Sequence, residues 1–145
     1  MKELSREKLV NDMEVIFCDL SRKIAGDRWL VSLKCEASIP VPEEFWQGTA
    51  DREMQPEVRQ ALGERLCFSV IKNRYFIDES EKEKVMADSI NQIRTNMMAY
   101  LENPRFPARL FGREYGLTEK RLRMDQQYRD HLGKREKDNA AGNAD

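Results

Sequence analysis

The feature that most constrains the fold is an alternation: Trp29, Val31, Leu33, Cys35, Ala37 and Ile39 alternate with Leu30, Ser32, Lys34, Glu36 and Ser38. A period of two belongs to a β-strand with one buried face, and a helix, with its period of 3.6, cannot present such a pattern on one side. Pro40 and Pro42 close the run, because proline has no N–H for a ladder and restricts the residue before it. Trp29, Leu33 and Ile39 are therefore expected in a core, beneath whatever covers that face.

A second strand is expected at 66–77, LCFSVIKNRYFI, where aromatic and β-branched residues dominate. It reads either as one long strand or as a hairpin turning at Lys72 and Asn73. Neither a glycine nor an Asn-Gly pair marks a turn there, which favours the single strand.

The other periodic segments read as helices. Leu9, Met13, Ile16, Phe17, Leu20 and Ile24 recur at spacings of three and four, predicting a helix over 4–25 that ends at Gly26. From Glu43 to Glu64 six acids stand against Arg52 and Arg59, and the segment predicts one short helix with Pro56 in its first turn, closed before Gly63. Ser80 and Glu83 have capping-box spacing. They open a helix that carries Met86, Ile90, Ile93, Met97 and Tyr100 on one face and ends near Leu101, before Pro104. FPARLFGREYG predicts one or two helical turns from Pro107, and 118–145 reads as a charged tail, frayed helical at first and disordered at AAGNAD. The expected architecture is α+β: a small antiparallel sheet of two to four strands with helices packed on one face, forming a single domain over 1–117, followed by the tail at 118–145.

Composition narrows the function classes. A chain of 145 residues can bury a core without metal or disulfide staples, and its net charge of -1 creates no general attraction to nucleic acid or membrane. No apolar run approaches the roughly 20 residues that span a bilayer, and Lys2, Glu3, Arg6, Glu7 and Lys8 do not resemble a secretory leader. Cys18, Cys35 and Cys67 are far apart and odd in number, which suits reduced thiols in the cytoplasm. His131 is the sole histidine, remote in sequence from every cysteine, so neither a zinc set nor a histidine-based triad is expected. Asp78, Glu79, Glu81 and Glu83 are read as first-turn acids that complement a helix dipole rather than as a catalytic group. The glycines form neither GxGxxG nor GxxxxGK[ST], and no cofactor is expected.

One stretch has the composition of a binding surface. Between Asn103 and Arg123, Arg105, Arg109, Arg113, Lys120, Arg121 and Arg123 outnumber Glu114 and Glu119, with Phe106, Phe111 and Tyr115 interleaved. Arginines alternating with aromatics can clamp phosphates and stack on bases. Equally, the aromatics can dock the segment on the core. The spacing of Arg105, Arg109 and Arg113 resembles the RxxxR element of the PilZ family of cyclic-dinucleotide receptors, which precedes a β-barrel and a D/NxSxxG motif. Here that motif is absent and the resemblance ends with the three arginines.

The expected function is a non-enzymatic protein-interaction or regulatory module. The alternative is a nucleic-acid-binding accessory protein whose phosphate contacts are Arg105, Arg109, Arg113, Arg121 and Arg123. The long strand ending at Ile39 has no internal proline or glycine, so its edge is poorly protected unless Arg65 to Ile77 pairs along all of it, and the chain is expected to pair with itself as a homodimer.

Overall fold

The computed structural model describes the backbone of residues 1–142 and the side chains of residues 1–138. Contacts divide the chain into two compact units, one made of Met1–Val41 with Arg65–Leu110, the other of Pro42–Glu64 with the chain from Phe111 on.

The first unit is built on a five-stranded antiparallel sheet of β1 (Lys2–Lys8), β2 (Glu14–Asp19), β3 (Arg22–Ala25), β4 (Arg28–Pro40) and β5 (Arg65–Asp78). β4 is its central strand. β2 and β3 pair with one edge of β4, β1 pairs with β2, and β5 pairs with the whole other edge of β4. The expected inner face of β4 is buried at Val31, Leu33, Cys35, Ala37 and Ile39 with Trp29 half-buried at the strand's start, but the opposite face is not the wet one expected, since Leu30, Ser32 and Ser38 are buried too.

The helix expected over 4–25 is instead three strands, and the sheet therefore has five strands rather than two to four. The three-and-four spacing arose because a turn interrupts a period of two. Leu9 belongs to that turn, where its N–H donates to the Met13 carbonyl at 2.8 Å and Asp12 takes a φ of 71°. After it, Met13, Val15 and Phe17 are each fully buried, which is strand alternation. Gly26 ends no helix. With a φ of 55° it opens the two-residue connection that pairs Ala25 with Arg28, the place where a tight hairpin turn uses glycine.

Register puts Val15, Phe17, Leu33, Cys35, Ala37, Phe68 and Val70 on one face of the sheet. Over that face lies α3 (Lys82–Leu101), with Ser89, Ile93 and Leu101 buried. Arg94 ties the helix to two strands, its guanidinium 4.9 Å from the Phe17 ring and 2.7 Å from a Glu7 oxygen. Met86, Ile90 and Met97 are half-buried as the helical face required, whereas Tyr100 is exposed. The capping box does not form. Ser80 gives both its N–H and its hydroxyl to the Asp78 carboxylate, so Asp78 caps a short 3-10 turn at Glu79–Glu81 that leads into α3. Those two bonds, with the Ser80 hydroxyl first, hold the Asp78 carboxyl below its ordinary range. At the other end of α3 the Asn11 amide donates to the Leu101 carbonyl at 2.7 Å and to that of Asn103 at 2.9 Å, partnering carbonyls that a helix end leaves open.

β5 is one unbroken strand, and no hairpin turns at Lys72 and Asn73. Its irregularity comes later. Trp29 pairs with Ile77 but Val31 with Arg74, so Tyr75 and Phe76 together oppose Leu30 in a β-bulge, with Phe76 at a φ of 57°.

The second unit is helical. The acidic connection forms two short helices instead of the one expected, α1 (Glu43–Gln47) and α2 (Gln55–Leu62). α1 begins directly after Pro42 with Glu43 and Glu44 in its first turn, which suits the helix dipole. α2 matches the sequence reading, with Pro56 at its start and Gly63 at a φ of 81° beyond its end. Trp46, Val58, Phe111 and Tyr115 are buried, the Trp46 and Phe111 rings meeting edge-on at 5.0 Å. Phe111 and Tyr115 belong to α4 (Phe106–Gly142), in which the turns expected from Pro107 and the helical start of the expected tail run on as one helix. The first residues of α4 belong to the first unit, where Phe106 meets the Tyr100 ring at 4.8 Å and that of Phe68 at 5.7 Å. Of the AAGNAD segment expected to be disordered, 143–145 lie outside the described residues.

Candidate functional site

The five arginines named from sequence are all exposed. Arg105, just before α4, and Arg109, in its first turns, fall in the first unit; Arg113, Arg121 and Arg123 lie on the part of α4 in the second. At about 100° per residue, Arg113, Lys120 and Arg123 share one stripe of that helix about 80° wide. Arg121 projects to one side of this stripe. Arg123 lies 3.8 Å from Glu119, one helical turn before it. The aromatics between the arginines are differently placed. Phe106, Phe111 and Tyr115 are all buried, in contact with rings of their own units, so they have no face to offer a nucleobase. What is left of the phosphate-and-stacking arrangement is its charge.

Two cavities have the size of ligand sites. In the first unit a space of about 350 Å³ is lined by Lys2, Asp19, Ser21, Trp29, Lys82 and Glu83 among others, and the Lys82 ammonium lies 4.0 Å above the Trp29 ring. Two cations and two anions balance there, and Asp19 already accepts the Ser21 N–H at 2.8 Å. In the second unit a groove of about 470 Å³ carries Glu53, Glu57, Asp125 and Asp130 against Arg129. Among the described residues no set of three or more His, Cys, Asp or Glu side chains is placed to hold a metal ion.

The thiols differ in environment. Cys18 and Cys35 are buried in the sheet, while Cys67 is exposed on β5. Burial pushes the Cys35 thiol up to about 11, far from the range in which it would act as a nucleophile.

The surface with the most to offer a partner is β5. It is 14 residues long, and among the described residues it pairs with no strand but β4. The condition that would protect the strand ending at Ile39 is met: β5 pairs along it down to Arg65 opposite Pro40, so the open edge passes to β5. Three large apolar side chains on β5 stand in solvent, Ile71 at 53% exposure, Tyr75 at 60% and Phe76 at 71%. Phe76 is also strained, since a bulky side chain at positive φ meets its own backbone. Sequence reading missed this site. Its signal was the poor alternation of 66–77, where Ile71 and Tyr75 fall out of phase with the buried face.

The other open edges among the described residues are β1, KELSREK, which carries charges along most of its length, and the four-residue β3, RKIA; charge and shortness both discourage strand pairing. No helix among the described residues is long and apolar enough to cross a membrane. Comparison with protein families, curated proteins and solved structures yields no match, so the geometry of the chain itself is the basis for its function.

Proposed function

We propose that this chain is a non-enzymatic protein-interaction module that receives an extended segment of a partner along the open edge of β5. The observation that carries the reading is the coincidence on one strand of an edge that pairs with no further strand among the described residues and of exposed Ile71, Tyr75 and Phe76. Strand addition takes its affinity from main-chain hydrogen bonds and its selectivity from alternate side chains, and β5 supplies both. The homodimer expected from sequence would use this same edge, because β4 is internal. Isotope-labelled chain titrated with blocked nonapeptides of high β-propensity should show amide shifts concentrated between Leu66 and Arg74. Shifts confined to other elements, or none at millimolar peptide, would sink the proposal.

A second reading, phosphate binding by α4, is favoured by the exposed stripe of Arg113, Lys120 and Arg123. It rests on charge alone, so affinity for labelled RNA or DNA should fall steeply between about 50 and 200 mM salt and show little preference among sequences. Absence of binding at the lower salt removes it.

A further inference from the structure

Resting on the β5 reading, we infer that the segment docked there is acidic: an extended strand of a partner protein in which Asp or Glu alternates with apolar residues. Charge is the first support. Among the described residues Arg65, Lys72 and Arg74 of β5 take part in no ion pair. Arg65 donates to the Ser38 hydroxyl at 2.9 Å and Lys72 to the Gln92 amide oxygen at 3.2 Å, both neutral acceptors. The one acid of the strand, Asp78, is engaged by Arg28 at 3.3 Å and by Ser80. β5 thus presents three cations without counter-charge.

Side-chain alternation converts that charge into a pattern. Lys72 and Arg74 share the face of the sheet that α3 covers, since they pair opposite Leu33 and Val31, while Ile71 and Asn73 lie on the other face. A strand added beside β5 alternates in step, so one set of its side chains runs beside Lys72 and Arg74 and the other beside Ile71. Carboxylates complete the first set and apolar groups the second. The bulge at Tyr75 and Phe76 bends the ladder, which leaves a straight edge from Leu66 to Arg74 and a docked segment of about nine residues.

A second copy of the chain fits this edge less well. Pairing β5 with itself would bring both copies of Arg65, Lys72 and Arg74 to one seam with no acid before Asp78 to offset them, and an edge lysine and a bulge are both devices by which strands resist self-pairing.

The test uses the full chain and two fluorescent, end-blocked nonapeptides, one alternating Glu with Val and the other Lys with Val. The Glu peptide should bind the natural chain and the Lys peptide should not. Lys72→Glu, at a half-buried position, with Arg74→Glu, at an exposed one, should weaken the Glu peptide by about tenfold or more and admit the Lys peptide, with an unchanged circular dichroism spectrum. That exchange of preference is a result a misfolded variant could not give. Equal binding of the two peptides to the natural chain, or sedimentation of the chain alone at twice its mass, overturns the acidic partner while leaving strand addition in place. Failure of both peptides to bind, with the chain monomeric, overturns both.

Discussion

Leu33 sits at the middle of β4 with no exposed surface, beneath α3 and beside Phe17 and Cys35. Leu33→Ala should lower stability by about 2–5 kcal/mol in denaturant unfolding, the range for a large-to-small change in a core. Cys35 makes a pH-dependent contribution. Burial raises its pKa from 9.0 to about 11, so the folded state holds the proton more tightly than the unfolded chain does. Its contribution is complete below about 9 and is lost as pH rises toward 11. The unfolding midpoint should fall across that window, and Cys35→Ala should flatten part of the fall. Phe76 is the opposite case, a side chain that serves the surface at the expense of the backbone. Phe76→Gly relieves a positive φ that costs an L-residue about 1–2 kcal/mol, offset by the roughly 0.5–1 kcal/mol of chain entropy that glycine adds. The variant should be as stable as the natural chain or slightly more so in denaturant unfolding. These residue identities were legible to different degrees. Leu33 could be placed from alternation alone, whereas Phe76 could not, because its backbone angle follows from a register shift against β4.

At the scale of elements, the two ends of α3 show how local signals were redirected. Ser80 and Glu83 had the right spacing for a reciprocal cap, but Asp78 offered the Ser80 hydroxyl a charged acceptor and took it. At the C-terminal end the partner comes from about 90 positions earlier in the chain: Asn11, in the β1–β2 turn, donates to two carbonyls at the end of α3. Asn11→Ala should cost about 1–3 kcal/mol, since it also removes the Asn11 oxygen that accepts the Met13 N–H at 3.1 Å. Hydrogen exchange at the last turn of α3 should report that loss first. The misread helix over 4–25 has a similar origin. Ile16 and Phe17 are adjacent and both apolar, which imitates a helical pair, but they point to opposite faces of β2, Ile16 opposite Glu36 and Phe17 opposite Cys35. A four-residue turn at Leu9–Asp12 was the missing punctuation, and Asn-Asp without glycine is a weak signal for it.

For the whole molecule, stability rests on burial and not on charge, despite a composition in which 35% of residues are charged. Every ion pair of the described residues leaves a quarter or more of each side chain in water. Such pairs contribute about 0–1 kcal/mol each and are screened by salt, so raising sodium chloride from about 0.1 to 1 M should move the unfolding free energy by no more than about 1 kcal/mol. A larger loss would show that these pairs act as a network. By itself the sequence determined the α+β class, the buried face of β4, an extended run over 66–77, a helix from about Ser80 to Leu101 and the glycine that closes α2. Each of these is written in the spacing of neighbouring residues, so local physics suffices. Only tertiary structure decided that Phe106, Phe111 and Tyr115 face inward between outward arginines, since an aromatic amid basic residues can equally stack on a ligand or fill a core. It alone decided that β4 is central and β5 the edge, because strand order depends on which distant segments compete for the same hydrogen bonds.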